Sequence, residues 1–231
     1  MNFFDSLIGE IAACVENHRA ERYAYDSGKA WDEETYSRVI MQRDTFCELD
    51  GTGFNLVTSS HVDDEVVVVG DDIGKLSGKR KFARVCIVEI QDNSDEQKDY
   101  NLIRKIEYIK YHFFPAGYML RTASRSHKEG VRASKAAVKN GISFEKIGNL
   151  LIKKYKENPA VKGVRVYFIT DTEADFGKID TAAQKSNSIT ETLNHIMSSV
   201  RFDCDTCNLK PVCDEVEGMK ELHFRNASMG V

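Results

Sequence analysis

Little in this chain is extreme, and each scarcity removes a class of protein. Acid and base nearly balance, with a formal net charge of -4 and an isoelectric point near 5.9. That argues against a general nucleic-acid binder, which needs an electropositive surface to replace phosphate counterions. No apolar run is long enough to cross a bilayer. The start, Met1-Asn2-Phe3-Phe4-Asp5, lacks a basic segment followed by an apolar core, so no signal peptide is expected. A reducing, cytoplasmic setting follows as an expectation, and there clustered cysteines read as metal ligands rather than disulfides. The single tryptophan, Trp31, is expected at the edge of a sheet. The prolines are three, at breaks: Pro115 and Pro159 close helices, and Pro211 stiffens a loop. There is no internal repeat, no low-complexity segment and no nucleophile-elbow or Ser-His-Asp pattern. Gly70 to Gly74 is too sparse for a phosphate loop. The acids Asp63, Asp64, Glu65, Asp71 and Asp72 lack the alternation of a calcium loop and read as turn residues.

What remains is a chain of 231 residues, 42% hydrophobic, able to bury a sizeable core. Phe4, Leu7, Ile8, Ile11, Val15 and His18 recur at helical spacing, which predicts one amphipathic helix over residues 3–23. Alternation from Val39 to Cys47 predicts a strand. Asp50-Gly51-Thr52-Gly53 reads as a hairpin turn into a second strand, 54–58. Further strands are expected at 66–69, 82–90 and 164–170. Ser94 with Gln97 forms a capping box ahead of a helix carrying Leu102, Ile106, Ile109 and Phe113. Residues 117–126 read as a loop or irregular strand, 132–139 as a short helix, and Ser143 as the cap of the next helix. Residues 171–194 are expected to be helical in part, with a break near Ser186. The order of elements predicts an α+β fold, a mostly antiparallel sheet packed with helices, with a C-terminal metal-binding tail. The division is a body over 1–200, with 1–30 a helical extension, and a tail over 201–231.

That tail carries the sharpest chemistry. Cys204, Cys207, Cys213 and His223 stand in the pattern C-x2-C-x5-C-x9-H. Thiolates bind zinc or iron–sulfur clusters, and an imidazole can replace one thiolate in either. The pattern alone leaves zinc, an iron–sulfur cluster and a metal-free tail open. If His223 does not ligate, one iron would stand open to act as a Lewis acid. Cys14, Cys47 and Cys86 sit among apolar residues and read as small buried hydrophobes.

A local charge inversion is the second feature. Arg121, Arg125, Lys128, Arg132, Lys135 and Lys139 fall between positions 121 and 139, opposed only by Glu129. Guanidinium forks match phosphate, and lysine adds a point charge. The run reads either as an anion site or as the solvated basic face of a helix. His127 is an acid–base candidate with nothing in sequence to single it out.

Several stretches together resemble one family. They are Arg104-Lys105-Ile106-Glu107-Tyr108-Ile109, Gly130 to Val138, Asn140 to Gly148, Val164 to Asp171, and the Cys204/Cys207 pair. From about Ala30 to Cys213 their order and spacing resemble the middle domain of acetyl-CoA synthase, the enzyme associated with CO dehydrogenase. The resemblance implies that Cys204, Cys207 and Cys213 hold a [4Fe–4S] cluster, and it favours iron–sulfur over zinc. Where the family has its next cysteine, this chain has His223, and the gap before Cys213 is shorter. The resemblance also implies a coenzyme A site at Arg121, Arg125, Arg132 and Lys135, although only Arg132, Ser134 and Lys135 fall on matching positions. The family's nickel-binding Cys-Gly-Cys segment has no counterpart up to Val231, so full acetyl-CoA synthase activity is not expected of this chain. Electron transfer or one-carbon chemistry is expected instead, beside a CO dehydrogenase-like or corrinoid-protein-like partner. A zinc-stabilised, non-catalytic interaction module is the alternative. No nucleic acid and no membrane are expected among its partners.

Overall fold

A computed structural model describes residues 2–91, 95–123, 127–198, 207–216 and 218–228, with the side chains of 96 and 225–228 left aside. The chain opens with helix α1, Asp5–Val15, and strand β1, Ala20–Ala24. Strands β2, Thr45–Thr58, β3, Glu65–Val69, and β4, Gly78–Ile90, follow. Helix α2, Glu96–Ile109, leads to the hairpin of β5, Tyr118–Thr122, and β6, Lys128–Ser134. Then come α3, Lys135–Lys139, α4, Phe144–Lys156, β7, Val161–Ile169, and α5, Phe176–Met197. Two short helices, α6, Lys210–Glu215, and α7, Met219–Ser228, complete it.

The seven strands form one sheet in the order β1-β3-β7-β4-β2-β6-β5. The expected α+β class holds, but the sheet is mixed. Pairings β1–β3, β2–β6, β4–β7 and β5–β6 are antiparallel, whereas β3–β7 and the long β2–β4 pairing are parallel. The two parallel pairs require crossovers that periodicity along one strand does not announce.

Two helical layers sandwich the sheet. In register, Val66, Val166, Cys86 and Asn55 form one row across β3, β7, β4 and β2. Helix α4 covers that face. Its Phe144 stacks on Phe168 at 4.6 Å and on Phe82 at 6.0 Å, and its Tyr155 hydroxyl donates to Asn55 Oδ1 at 2.7 Å. Helices α5 and α1 cover the opposite face, where Thr52 of β2 donates to Asp180 of α5. Because both faces are covered, β3, β7 and β4 from Phe82 onward are buried almost continuously rather than alternately.

The structure revises several local readings. The 3–23 helix stops at Val15, and residues 20–24 pair with β3, because Ala20 to Ala24 alternate in exposure as an edge strand does. Val39 and Met41 are 68% and 58% exposed, and the strand expected from Val39 begins only at Thr45. Asp50 to Gly53 is no turn but the middle of β2. Its glycines serve close approach: a Cβ at Gly51 would lie 1.7 Å from the Phe82 carbonyl, and one at Gly53 would lie 1.9 Å from a Glu129 oxygen. Residues 118–122 are a regular strand, and 132–134 end β6 before α3 begins at Lys135. Asp95 caps α2 by accepting from Lys98 N at 3.0 Å, while Ser94 lies outside the described residues. Helix α5 runs unbroken through Ser186, whose hydroxyl donates to the Asn55 carbonyl at 3.3 Å. Ser143 caps α4 as expected, accepting from Lys146 N at 3.2 Å. Trp31 stacks on Tyr36 and donates to the Ala116 carbonyl at 2.7 Å. Cys47 and Cys86 are buried, but Cys14 is half-exposed on α1. No helix among the described residues is long and apolar enough to cross a membrane.

Candidate functional site

Four strands supply the candidate anion site. At the end of β2 that α5 leaves uncovered, the parallel and antiparallel registers align Lys79, Glu48, Arg132 and Met119 in one row across β4, β2, β6 and β5. The next row is Lys81, Asp50, Gly130 and Arg121. Residues two apart share a face, so both rows project to the same side. They border a cavity of about 210 Å³ lined by Glu48, Asp50, Lys79, Met119, Arg121 and Arg132, with Gly130 among its walls.

Of the four predicted anion ligands, the structure brings two together. Arg121 and Arg132 line this cavity. Lys135 does not: its ammonium donates to the Arg43 carbonyl at 2.9 Å and lines a separate hollow with Tyr36, Ile40 and Asp44. Arg125 lies outside the described residues. Nor is the cavity purely basic. Arg132 Nε donates to Glu48 at 2.6 Å, and Lys79 stands 3.7 Å from the same carboxylate. Lys81 sits over the Phe176 ring at 5.8 Å. Sequence reading missed Lys79, Glu48, Asp50 and Gly130 because their association depends on strand order. Its local trace was the polar residue at every second position of 48–52 and of 79–81.

On the α4 face lies a buried polar network that the sequence reading did not anticipate. Arg84 of β4 reaches over Gly53 of β2 to Glu129 of β6 in a two-pronged pair, Nε to Oε1 at 2.8 Å and Nη2 to Oε2 at 2.6 Å. Both side chains are buried, at 2% and 0% exposure. Arg84 Nη1 also approaches Cys86 Sγ at 3.0 Å. Burial raises the Cys86 thiol above its ordinary range, so it is held as a thiol. Glu129 is thus no mere counterweight to the basic run; it faces away from Arg132, into the core.

His127 enters β6 with φ of +49°, and its carbonyl accepts from Gly53 N at 2.8 Å. Its ring lies against Phe54 and is buried beside Lys110, whose ammonium contacts Nδ1 at 3.4 Å. A lysine ammonium only donates, so Nδ1 accepts and Nε2 carries the proton. Desolvation first, and the Lys110 charge second, push the His127 pKa down to about 4. The ring is neutral at physiological pH and buried away from solvent, so the acid–base reading of His127 has no geometric support.

In the tail, Cys207 and Cys213 bracket the start of α6, where the Cys207 carbonyl accepts from Lys210 N at 3.2 Å. Neither is in a disulfide, and both are half-buried. His223 lies on α7, stacked on Phe224 at 6.0 Å. Met219 and Leu222 bury one side of α7 among the helices of the body, and α6 and α7 both pack on α5. Cys204 lies outside the described residues. Among the described residues no group of three or more His, Cys, Asp or Glu side chains is gathered to hold a metal. The donor set suits a thiophilic centre: thiols outside any disulfide, with an imidazole on the next helix.

A search of curated proteins found no match. A family model described as CO dehydrogenase/acetyl-CoA synthase complex beta subunit matches residues 29–174, from between β1 and β2 to just past β7. That span holds β2 to β7, both charged rows and the Arg84–Glu129 pair, and it is more than half of the chain. This protein therefore belongs to the family of the CO dehydrogenase/acetyl-CoA synthase complex beta subunit.

Proposed function

We propose that this chain is an iron–sulfur protein of acetyl-CoA synthase-related metabolism. Cys204, Cys207 and Cys213 hold one [4Fe–4S]-type cluster, with His223 as the fourth ligand. Neutral imidazole in place of thiolate makes the cluster less negative and raises its reduction potential. The observation that carries this reading is the family match together with two cysteines, outside any disulfide, in a tail fixed to the body by Met219 and Leu222. When bound, the cluster supplies one-electron chemistry. The body's contribution is a seat for an anionic ligand such as coenzyme A, with Arg121 and Arg132 on the uncovered end of the sheet. The partner is a CO dehydrogenase-like protein, since the family's members are subunits of that complex.

Iron and acid-labile sulfide analysis of anaerobically prepared protein tests the reading. Iron and sulfide in equal amounts, visible thiolate-to-iron absorption, and loss of both in Cys213→Ser are the expected results. A colourless protein with stoichiometric zinc overturns it.

A further inference from the structure

Three helices outside the family match border a cavity of their own. Helices α1 and α6 both pack on α5, and the space between them measures about 390 Å³. Its lining comes from residues 6–7, 181–189 and 212–216, all outside residues 29–174. The size falls within the roughly 300–1,000 Å³ of small-molecule sites.

The wall that α5 presents does not suit a helix–helix joint. Thr181, Gln184, Lys185 and Ser188 stand at positions i, i+3, i+4 and i+7, so they share one face. Helices that pack on one another bury apolar stripes, and this stripe is polar. Thr181 bonds back to its own helix, at the Gly177 carbonyl. Gln184 and Ser188, with Ser6 of α1 and Glu215 of α6, make no side-chain hydrogen bond or ion pair within the described structure. The rest of the lining is apolar: Leu7 and Ile189 are buried, and Val212 and Val216 pack against the core. Open hydrogen-bonding capacity beside an apolar wall is the make-up of a ligand seat.

The charges say which ligand. Lys185 of α5 and Glu215 of α6 line the same cavity from two packed helices, yet make no ion pair with each other. Lys185 reaches instead to Glu10 at 3.5 Å, a solvent-exposed pair that is worth little and yields readily. We infer that this cavity binds a free aliphatic α-amino acid: its carboxylate on Lys185, its ammonium on Glu215, and its side chain against Leu7, Ile189, Val212 and Val216. Ser6, Gln184 and Ser188, each able to donate and to accept, serve its remaining lone pairs and N–H groups. Because the ligand touches α5 and α6 together, it also clamps the tail onto the body. The site is independent of the anion seat on the sheet.

Calorimetric titration of the full chain, prepared anaerobically, tests it with four probes. They are L-leucine; 4-methylpentanoate, which lacks the ammonium; 3-methylbutylamine, which lacks the carboxylate; and glycine, which lacks the apolar group. Leucine binds, and each of the other three binds at least about tenfold more weakly, as loss of one charge-assisted bond or of the apolar contact requires. Glu215→Gln abolishes the preference for leucine over 4-methylpentanoate, and Lys185→Met abolishes that over 3-methylbutylamine. Both positions are exposed, so neither change threatens the fold. Gln184→Trp fills the cavity from another exposed position and blocks leucine. Amide exchange gives a second readout: leucine slows it over 210–216 and leaves β2 unchanged. Leucine binding no tighter than its two single-charge analogues, or untouched by Glu215→Gln, overturns the inference, as does an absence of binding.

Discussion

Arg84 and Glu129 meet across a strand that places no side chain between them. The pair spans from β4 to β6, and Gly53 of the intervening β2 leaves the gap through which it passes. Three strands are thereby fixed in register by one interaction. Removing one partner strands a buried charge. Glu129→Ala should cost about 3–5 kcal/mol in urea unfolding. The double variant Arg84→Met with Glu129→Leu should recover most of that, because no charge is then left buried. Gly53→Ala should cost roughly 1–3 kcal/mol by crowding the carboxylate, and the cost should shrink in the Glu129→Ala background. Simple additivity of the two would contradict the geometry.

The depressed pKa of His127 sets a pH dependence. Its folded value is about 4, against an ordinary histidine value of about 6.5. The unfolded chain therefore binds more protons between those values, and stability rises with pH across that window. The contribution is complete above about pH 6.5 and falls away as the pH drops toward 4, by an amount on the order of 3 kcal/mol at most. His127→Asn tolerates the positive φ and does not titrate. Its urea midpoint should vary less between pH 7 and pH 4.5 than that of the parent, and parallel curves would refute the assignment.

Helix α4 depends on its first turn. Ser143→Ala removes the side-chain acceptor of Lys146 N and should cost about 1 kcal/mol. For a chain of this length that corresponds to a fall in Tm of roughly 2–4 °C. Calorimetry would read it directly, and Ser143→Asp should restore it.

Tail docking can be separated from body stability. Leu222 is buried at 2% exposure on α7. Leu222→Ala should lower the free energy of opening α7 by about 2–5 kcal/mol. Amide exchange should speed up over 219–224, while the β2 and β4 amides keep their protection. Uniform loss of protection would mean instead that tail and sheet unfold as one unit.

Much of the fold was legible because its signals are local. The β-branched run Val66 to Val69, the apolar face of α4 and the Ser143 cap each declare themselves within a few residues. What escaped was long-range. Asp50-Gly51-Thr52-Gly53 has the composition of a hairpin turn, yet its glycines answer Phe82 and Glu129, distant in sequence. The helical spacing ends at His18, and Ala20 to Ala24, read as its continuation, pairs with β3 instead. The candidate site divided in the same way. Arg121 and Arg132 were visible as a charge run and do line one cavity. Their partners Glu48, Asp50 and Lys79 could be found only by knowing that β2 lies between β4 and β6. Lys135 belonged to the same run but turns toward Arg43, because α3 begins there and redirects the chain.

The position of β7 has a consequence for how the molecule comes into being. Among the described residues the β1–β3 ribbon is hydrogen-bonded to no strand of the β4-β2-β6-β5 group; β7 is hydrogen-bonded to both. A nascent chain released only as far as residue 160 holds two orphan ribbons with open edges, each a template for intermolecular pairing. Emergence of Val161 to Ile169 is the event that welds them, so biosynthesis must shelter more than half of this polypeptide before a cooperative unit exists.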